Sequence, residues 1–225
     1  MMCSAAGSAE PTVTGSANYH PSPGSVAEAL IRAIHDSPTQ AVVAVTGGGV
    51  ASLTWLLTVP GASRTVLEGT VPYAASALTG LLGAVPDQAV SAATALAMAR
   101  ACRQRAAYLA GPGAGPLVGV GATAALVSDR PKKGDHRAYV GLCWNTEPNT
   151  ESVWSLSLAR GARDRHGEDA LVSALVVAVL GHGCGVEPRG FPGAGAGDLF
   201  AGELFPGEQV EPSWPTLARR DPVET

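Results

Sequence analysis

AVVAVTGGGVASLTWLLT, residues 41–58, decides the fold. Six residues, AVVAVT, form a short apolar run of the length and β-branched content of a buried strand. Gly47-Gly48-Gly49 break it, and ASLTWLLT (51–58) reads as a short helix closed by Pro60-Gly61. A strand that turns on glycines into a helix is the unit of a layered α/β sheet. In such sheets ligands bind where strands end.

Upstream, Ser25-Val-Ala-Glu28 is a capping box opening a helix over Val26–His35. Downstream, 64–74 (RTVLEGTVPYA) reads as a strand and 75–82 as a helix ending at Gly83. Asp87 is expected to cap a long helix over 88–109. Strands follow at 117–123, 138–145 and 152–159, the first two separated by the polar loop SDRPKKGDHR (128–137), and a very apolar helix spans 168–181. The strands are too apolar to have one wet face. The expected class is therefore α/β, a layered, mostly parallel sheet with helices on both faces and antiparallel pairing at one edge. Residues 1–24 read as a flexible lead-in, 25–182 as the α/β domain and 183–225 as a Gly/Pro-rich, poorly packed tail or linker.

The composition fits one domain with appendages. The 225 residues are 46% hydrophobic and 15% charged, with 28 Gly and 17 Pro. That is too apolar and too weakly charged for a disordered chain. A net charge of -4 gives no basic footprint, so nucleic acid is not an expected partner. Mean hydropathy is +0.16, yet the two long uncharged stretches, 40–63 and 106–128, are interrupted by Gly and Pro, so no membrane span is expected. The N-terminus lacks a signal-peptide pattern, and the four cysteines are scattered without a C-x-x-C pair. A reducing, cytoplasmic setting follows. The five His are isolated from one another, so neither a metal nor another cofactor is expected.

Two places could hold chemistry. Thr46 puts a hydroxyl at a strand end, and Gly47, Gly48 and Gly49 offer amides at a helix start, where an anion such as phosphate is favoured. Without a following Lys it is not a Walker loop, and a tight turn explains it equally well. Tyr73 ends the next strand, either as an acid/base group or as a packed aromatic. In the loop, Arg130, Lys132, Lys133, Asp135, His136 and Arg137 fall within eight residues of a chain that has only two Lys. This is either a solvated turn or a phosphate or carboxylate clamp with an Asp135–His136 pair, to which Arg160, Arg163 and Arg165 could add.

VPGAS (59–63) followed by EGTVPYAASALTGLLGAV (68–85) resembles the CinA C-terminal domain family, whose pattern is roughly VPGAS, V-x-Y-S-N-x-x-K and LLGV. The resemblance spans about 25–181. It implies a compact α/β domain and a metal-free nicotinamide-nucleotide amidase that uses a Ser nucleophile with a Tyr and a Lys nearby, and hence a place in NAD metabolism. Counting back without gaps from VPGAS, the family Ser falls on Thr46; aligning its T-G-G literally needs an insertion and puts Ala44 there. The family Tyr falls on Tyr73 and its Lys on Leu78. The G-I-A-G-P loop becomes residues 121–125, the K-P-V-G-T turn becomes PKKGDHR, and G-D-R becomes Gly161-Ala162-Arg163. These departures, with SPTQAVV (37–43) and RPKKGDHR, are more similar to the divergent CinA-like domain of plant and algal nucleotidylyltransferase-like proteins.

The resemblance thus implies a domain that binds a nucleotide through Thr46, Tyr73, the glycines and the basic loop, with catalysis lost or weakened for want of the Lys. A Thr-dependent amidase releasing ammonia from nicotinamide mononucleotide is the alternative reading. A third is a non-catalytic scaffold, joined to a homo-oligomer or larger assembly through its C-terminal stretch.

Overall fold

The computed structural model describes residues 25–129, 134–144, 151–186 and 204–212. In chain order these form α1 (Val26–Asp36), β1 (Gln40–Thr46), α2 (Ala51–Thr58), α3 (Ala62–Thr65), β2 (Val66–Thr70), α4 (Ala75–Leu82), α5 (Ala92–Ala110), β3 (Leu117–Ala125), β4 (His136–Cys143), β5 (Glu151–Leu158), α6 (Arg165–Gly183) and β6 (Gln209–Pro212). One sheet runs in the order β2-β1-β3-β4-β5-β6. β1 is parallel to both β2 and β3, whereas β4, β5 and β6 each pair antiparallel. The layered α/β class stands. Its parallel strands occupy the β2-β1-β3 half, and the antiparallel half is wider than expected.

Residues 41–45 are all 1% exposed or less, because the two faces of β1 are both covered. Ala41, Val43 and Val45 pack with α1, α2 and α6, while Val42 and Ala44 pack with α4 and α5. Helix α5 lies unusually close to the sheet. A Cβ added to Gly119 would stand 2.2 Å from the Ala99 carbonyl oxygen, and one added to Gly141 2.6 Å from that of Ala95. The helix therefore rests its backbone on glycines of β3 and β4, an approach any larger residue would forbid.

Four expectations are corrected. The strand read over 64–74 is confined to Val66–Thr70: a helical turn precedes it after Gly61 at φ +115°, and Pro72, which lacks an N–H, follows it. Helix α5 is capped by Ser91 rather than Asp87, since the Ser91 Oγ accepts the Thr94 amide at 3.1 Å and Gln88 is held in the preceding turn by the Thr94 hydroxyl at 2.5 Å. Helix α6 begins earlier, at Arg165, because Asp164 accepts the Gly167 amide at 2.8 Å. The stretch from Gly183 onward is not all tail: residues 209–212 pair with Trp154–Ser157 as an edge strand. No described helix is long and apolar enough to cross a membrane.

Candidate active site

β1 ends at Thr46, which lies directly beside Thr123 of β3. Thr46 is 8% exposed, and its Oγ1 donates to the Pro72 carbonyl at 3.0 Å. The Thr123 Oγ1 donates to the Ala89 carbonyl at 2.6 Å. Between these strand ends, the start of α4 and the approach to α5 lies a cavity of about 220 Å³, lined among others by Thr46, Gly47, Tyr73, Leu78, Val90 and Thr123. The structure thus brings together Thr46, Gly47 and Tyr73, the last 69% exposed at the rim. It adds Thr123 and Val90, which the sequence reading missed. Register against Thr46 is the only signal that finds Thr123, and register is not visible before the strands are paired.

The three glycines do two jobs that need no ligand. Gly47 (φ +73°) runs so close to β3 that a Cβ would meet the Ala124 carbonyl oxygen at 2.0 Å, and Gly49 (φ +85°) turns the chain into α2. Of the expected bare amides, that of Gly49 is occupied. Asp169 of α6 accepts from Gly49 N at 2.8 Å, Val50 N at 3.3 Å and Ala51 N at 3.2 Å, so an internal carboxylate sits where a phosphate was expected. Arg165, on the same turn of α6, donates to Gly47 O at 2.8 Å and Val127 O at 3.2 Å.

The polar loop divides. Arg130, Lys132 and Lys133 lie outside the described residues. His136 is buried on the α6 side of the sheet, its Nδ1 2.6 Å from Glu168 Oε1, while Glu168 Oε2 accepts the Val127 amide at 2.7 Å. Its carboxylate partner is therefore Glu168 and not the expected Asp135, which is exposed. The next side chain along a strand points to the other face. Arg137 consequently faces the α5 side opposite Ala125, two residues from Thr123, with its Nε buried and without a hydrogen-bond partner. Arg163 is engaged elsewhere: it pairs with the buried Glu208 and stacks its guanidinium 4.4 Å from the centre of the Phe205 ring.

Residues 25–114 match the family model of the CinA C-terminal domain. Over those residues the chain is similar to that domain. Three solved structures have a similar fold. A competence-damaged protein (CinA) superfamily protein from Escherichia coli is 15% identical, with a TM-score of 0.51 over 75% of this chain and 94% of that one. A second superfamily member, from Klebsiella pneumoniae 700603, is 15% identical, with a TM-score of 0.52 over 71% and 96%. The competence damage-inducible protein A (ComA) of Klebsiella pneumoniae subsp. pneumoniae MGH 78578 also gives 0.52 at 15% identity, over 69% and 95%. At that identity the likeness shows the fold. No curated protein matches the chain.

The matched region includes Thr46, Tyr73 and Leu78. Neither Cys102 nor Cys184 offers a nucleophile in place of Thr46. Burial pushes the Cys102 thiol up to about 12 and that of Cys184 up to about 11, so both stay protonated at neutral pH. Among the described residues no group of three or more His, Cys, Asp or Glu is placed to hold a metal ion.

Proposed function

We propose that this CinA-like domain, related to the nicotinamide-nucleotide amidohydrolases, holds a nucleotide in the Thr46–Tyr73 cavity and does not hydrolyse it. The observation that carries the reading is Leu78. It is 5% exposed, lines the same cavity as Thr46 and Tyr73, and stands where the resemblance puts the family Lys. An alkyl chain cannot take the proton of the Thr46 hydroxyl, which already points at the Pro72 carbonyl. Among the described residues, none that lines the cavity is Asp, Glu, His, Lys or Arg. A general base must come within about 3 Å of the proton it removes, and its loss costs about 10²–10⁴ in rate. His136, a candidate substitute, lies on the opposite face of the sheet, bound to Glu168.

Several features support a retained ligand. A volume of about 220 Å³ lies below the ~300 Å³ at which pockets for drug-sized ligands begin, so the cavity suits one substituted ring. The remainder of a mononucleotide then lies along the exposed Tyr73. There the start of α4 has no side-chain cap, leaving amides for an anion, and Arg137 has an unpartnered nitrogen on the same side of the sheet. The reading requires no metal and no cofactor.

The test is ammonia release from nicotinamide mononucleotide by the full chain, together with calorimetric binding of the same compound. The expected result is no release and saturable binding, weakened about tenfold or more by Arg137→Ala, the scale of a charge-assisted hydrogen bond. Turnover abolished by Thr46→Ala would instead establish a Thr-dependent amidase. Neither turnover nor binding would leave a scaffold.

A further inference from the structure

Away from the cavity, the outer edge of β5 is covered by residues 204–212 in a way that has the form of a bound peptide. Phe205-Pro206-Gly207-Glu208 makes a tight turn: Pro206 fixes the first corner, Gly207 (φ +89°) takes the second, and the Glu208 amide donates to the Phe205 carbonyl at 3.0 Å. The Glu208 side chain is fully buried. Its Oε2 accepts the Phe205 amide at 2.8 Å, and its Oε1 accepts both the Arg163 guanidinium and the Ala159 amide at 2.9 Å. Burial opposes the ionised form, but these donors outweigh it and hold the Glu208 carboxyl below the usual carboxylate range. Beyond the turn, β6 adds to β5 over Trp154–Ser157, and Leu204 and Val210 pack onto the core.

We infer that the edge of β5, with Arg163 and the Ala159 amide at its end, is a strand-addition site for an acidic peptide carrying a Pro-Gly turn. Residues 204–212 fill it within the chain, and the same segment of a second copy can take their place. The division of labour is that of strand addition generally: main-chain pairing supplies affinity, and a buried carboxylate and side-chain contacts supply specificity. Seventeen residues, 187–203, separate Val186 from Leu204. At up to about 3.3–3.6 Å per residue they reach more than 50 Å, about twice the ~28 Å length of α6, so the segment is long enough to find its own edge or a neighbour's. Being covalently joined, the segment is present at a higher effective concentration than a free copy, which favours its own edge until that copy is weakened. Exchange of an identical element between copies then costs no contact.

The experiment uses the full chain and a fluorescein-labelled peptide of residues 204–212, LFPGEQVEP, read by anisotropy. Glu208→Ala in the chain cripples the tethered segment and leaves Arg163 and β5 intact. This variant is expected to bind the labelled peptide at least about tenfold more tightly than the unsubstituted chain does. A peptide carrying Ala in place of its own Glu is expected not to bind. Equal binding by the two chains, or equal binding of the two peptides, overturns the inference. Native-state hydrogen exchange on the unsubstituted chain gives a check that needs no variant. The β6 amides are expected to exchange at least about tenfold faster than those of β3 and β4; exchange of both only on global unfolding would show that the segment is not separable. None of these readouts involves the Thr46 cavity, so the nucleotide reading stands or falls separately.

Discussion

Replacing Asp169 by Ala removes the carboxylate that receives three amides at the start of α2. Hydrogen bonds to a charged group contribute about 1.5–3 kcal/mol each when well made, and only the 2.8 Å bond from Gly49 is short. The two longer ones, at 3.3 and 3.2 Å on a half-buried residue, add less, and the favourable interaction with the helix dipole adds about 0.3–1 kcal/mol. The sum is about 3 kcal/mol. For a chain of this size that lowers the melting midpoint by about 6–12 °C. Asp169→Asn keeps one acceptor and aims an amide at a donor, so about 2 kcal/mol is expected to be lost. Urea denaturation monitored by circular dichroism gives both numbers. Sulfate is further expected to stabilise Asp169→Ala more than the unsubstituted chain, because the vacated amides then donate to an external anion. A loss under 1 kcal/mol for the Ala variant, or an Asn variant as stable as the parent, would refute the reading of Asp169 as an internal anion.

Three further variants test the packing. Gly121→Ala is expected to destabilise by more than about 3 kcal/mol or to prevent soluble expression, because its Cβ would lie 2.4 Å from Met98 Cβ, 2.5 Å from Ala99 N and 2.6 Å from Ala95 O. Gly80→Ala, with open space around the new methyl inside α4, is expected to gain up to about 1 kcal/mol; both are read by the same denaturation curves. His35 has its Nε2 2.9 Å from the Leu56 carbonyl oxygen, and burial above all lowers its pKa from the ordinary value of 6.5. The unfolded chain therefore binds the proton more readily, and this contribution to stability is complete above about pH 6.5 and is lost as pH falls from there toward the lower folded value. His35→Gln is expected to flatten that part of the stability–pH profile, which thermal melts from pH 7.5 to 5 would show.

Local sequence carried the strand–glycine–helix unit at 41–58 because each of its signals, β-branched run, breaker and apolar helix, acts within a few residues. The same holds for the Ser25 cap and for the end of α4 at Gly83. What lay beyond reach depends on contacts between distant segments. Asp169 closes amides 118 to 120 residues away, and nothing in RHGEDALV distinguishes that acid from Glu168, whose partner is His136. The dense polar loop suggested one clamp, yet strand alternation sends His136 and Arg137 to opposite faces. The cap of α5 was misplaced because Asp87 and Ser91 are both good N-caps and only the turn at Gln88 chooses between them. Residues 204–212 were read as tail because they are rich in Pro, Gly and acid. Those same residues supply the turn and the buried carboxylate that fix them to the sheet.

The first five residues of α6 hold three separate pieces of chain: Arg165 the Gly47 and Val127 carbonyls, Glu168 the His136 ring and Val127 amide, and Asp169 the start of α2. A helix turns 100° per residue, so inserting one residue between 165 and 169 would leave one set of partners facing its segment and swing the other away. An insertion before Asp164 would be absorbed in the turn there. The reading frame of that single helical turn is therefore shared by three segments of the chain, and in related sequences length changes should be found on either side of it but not within it.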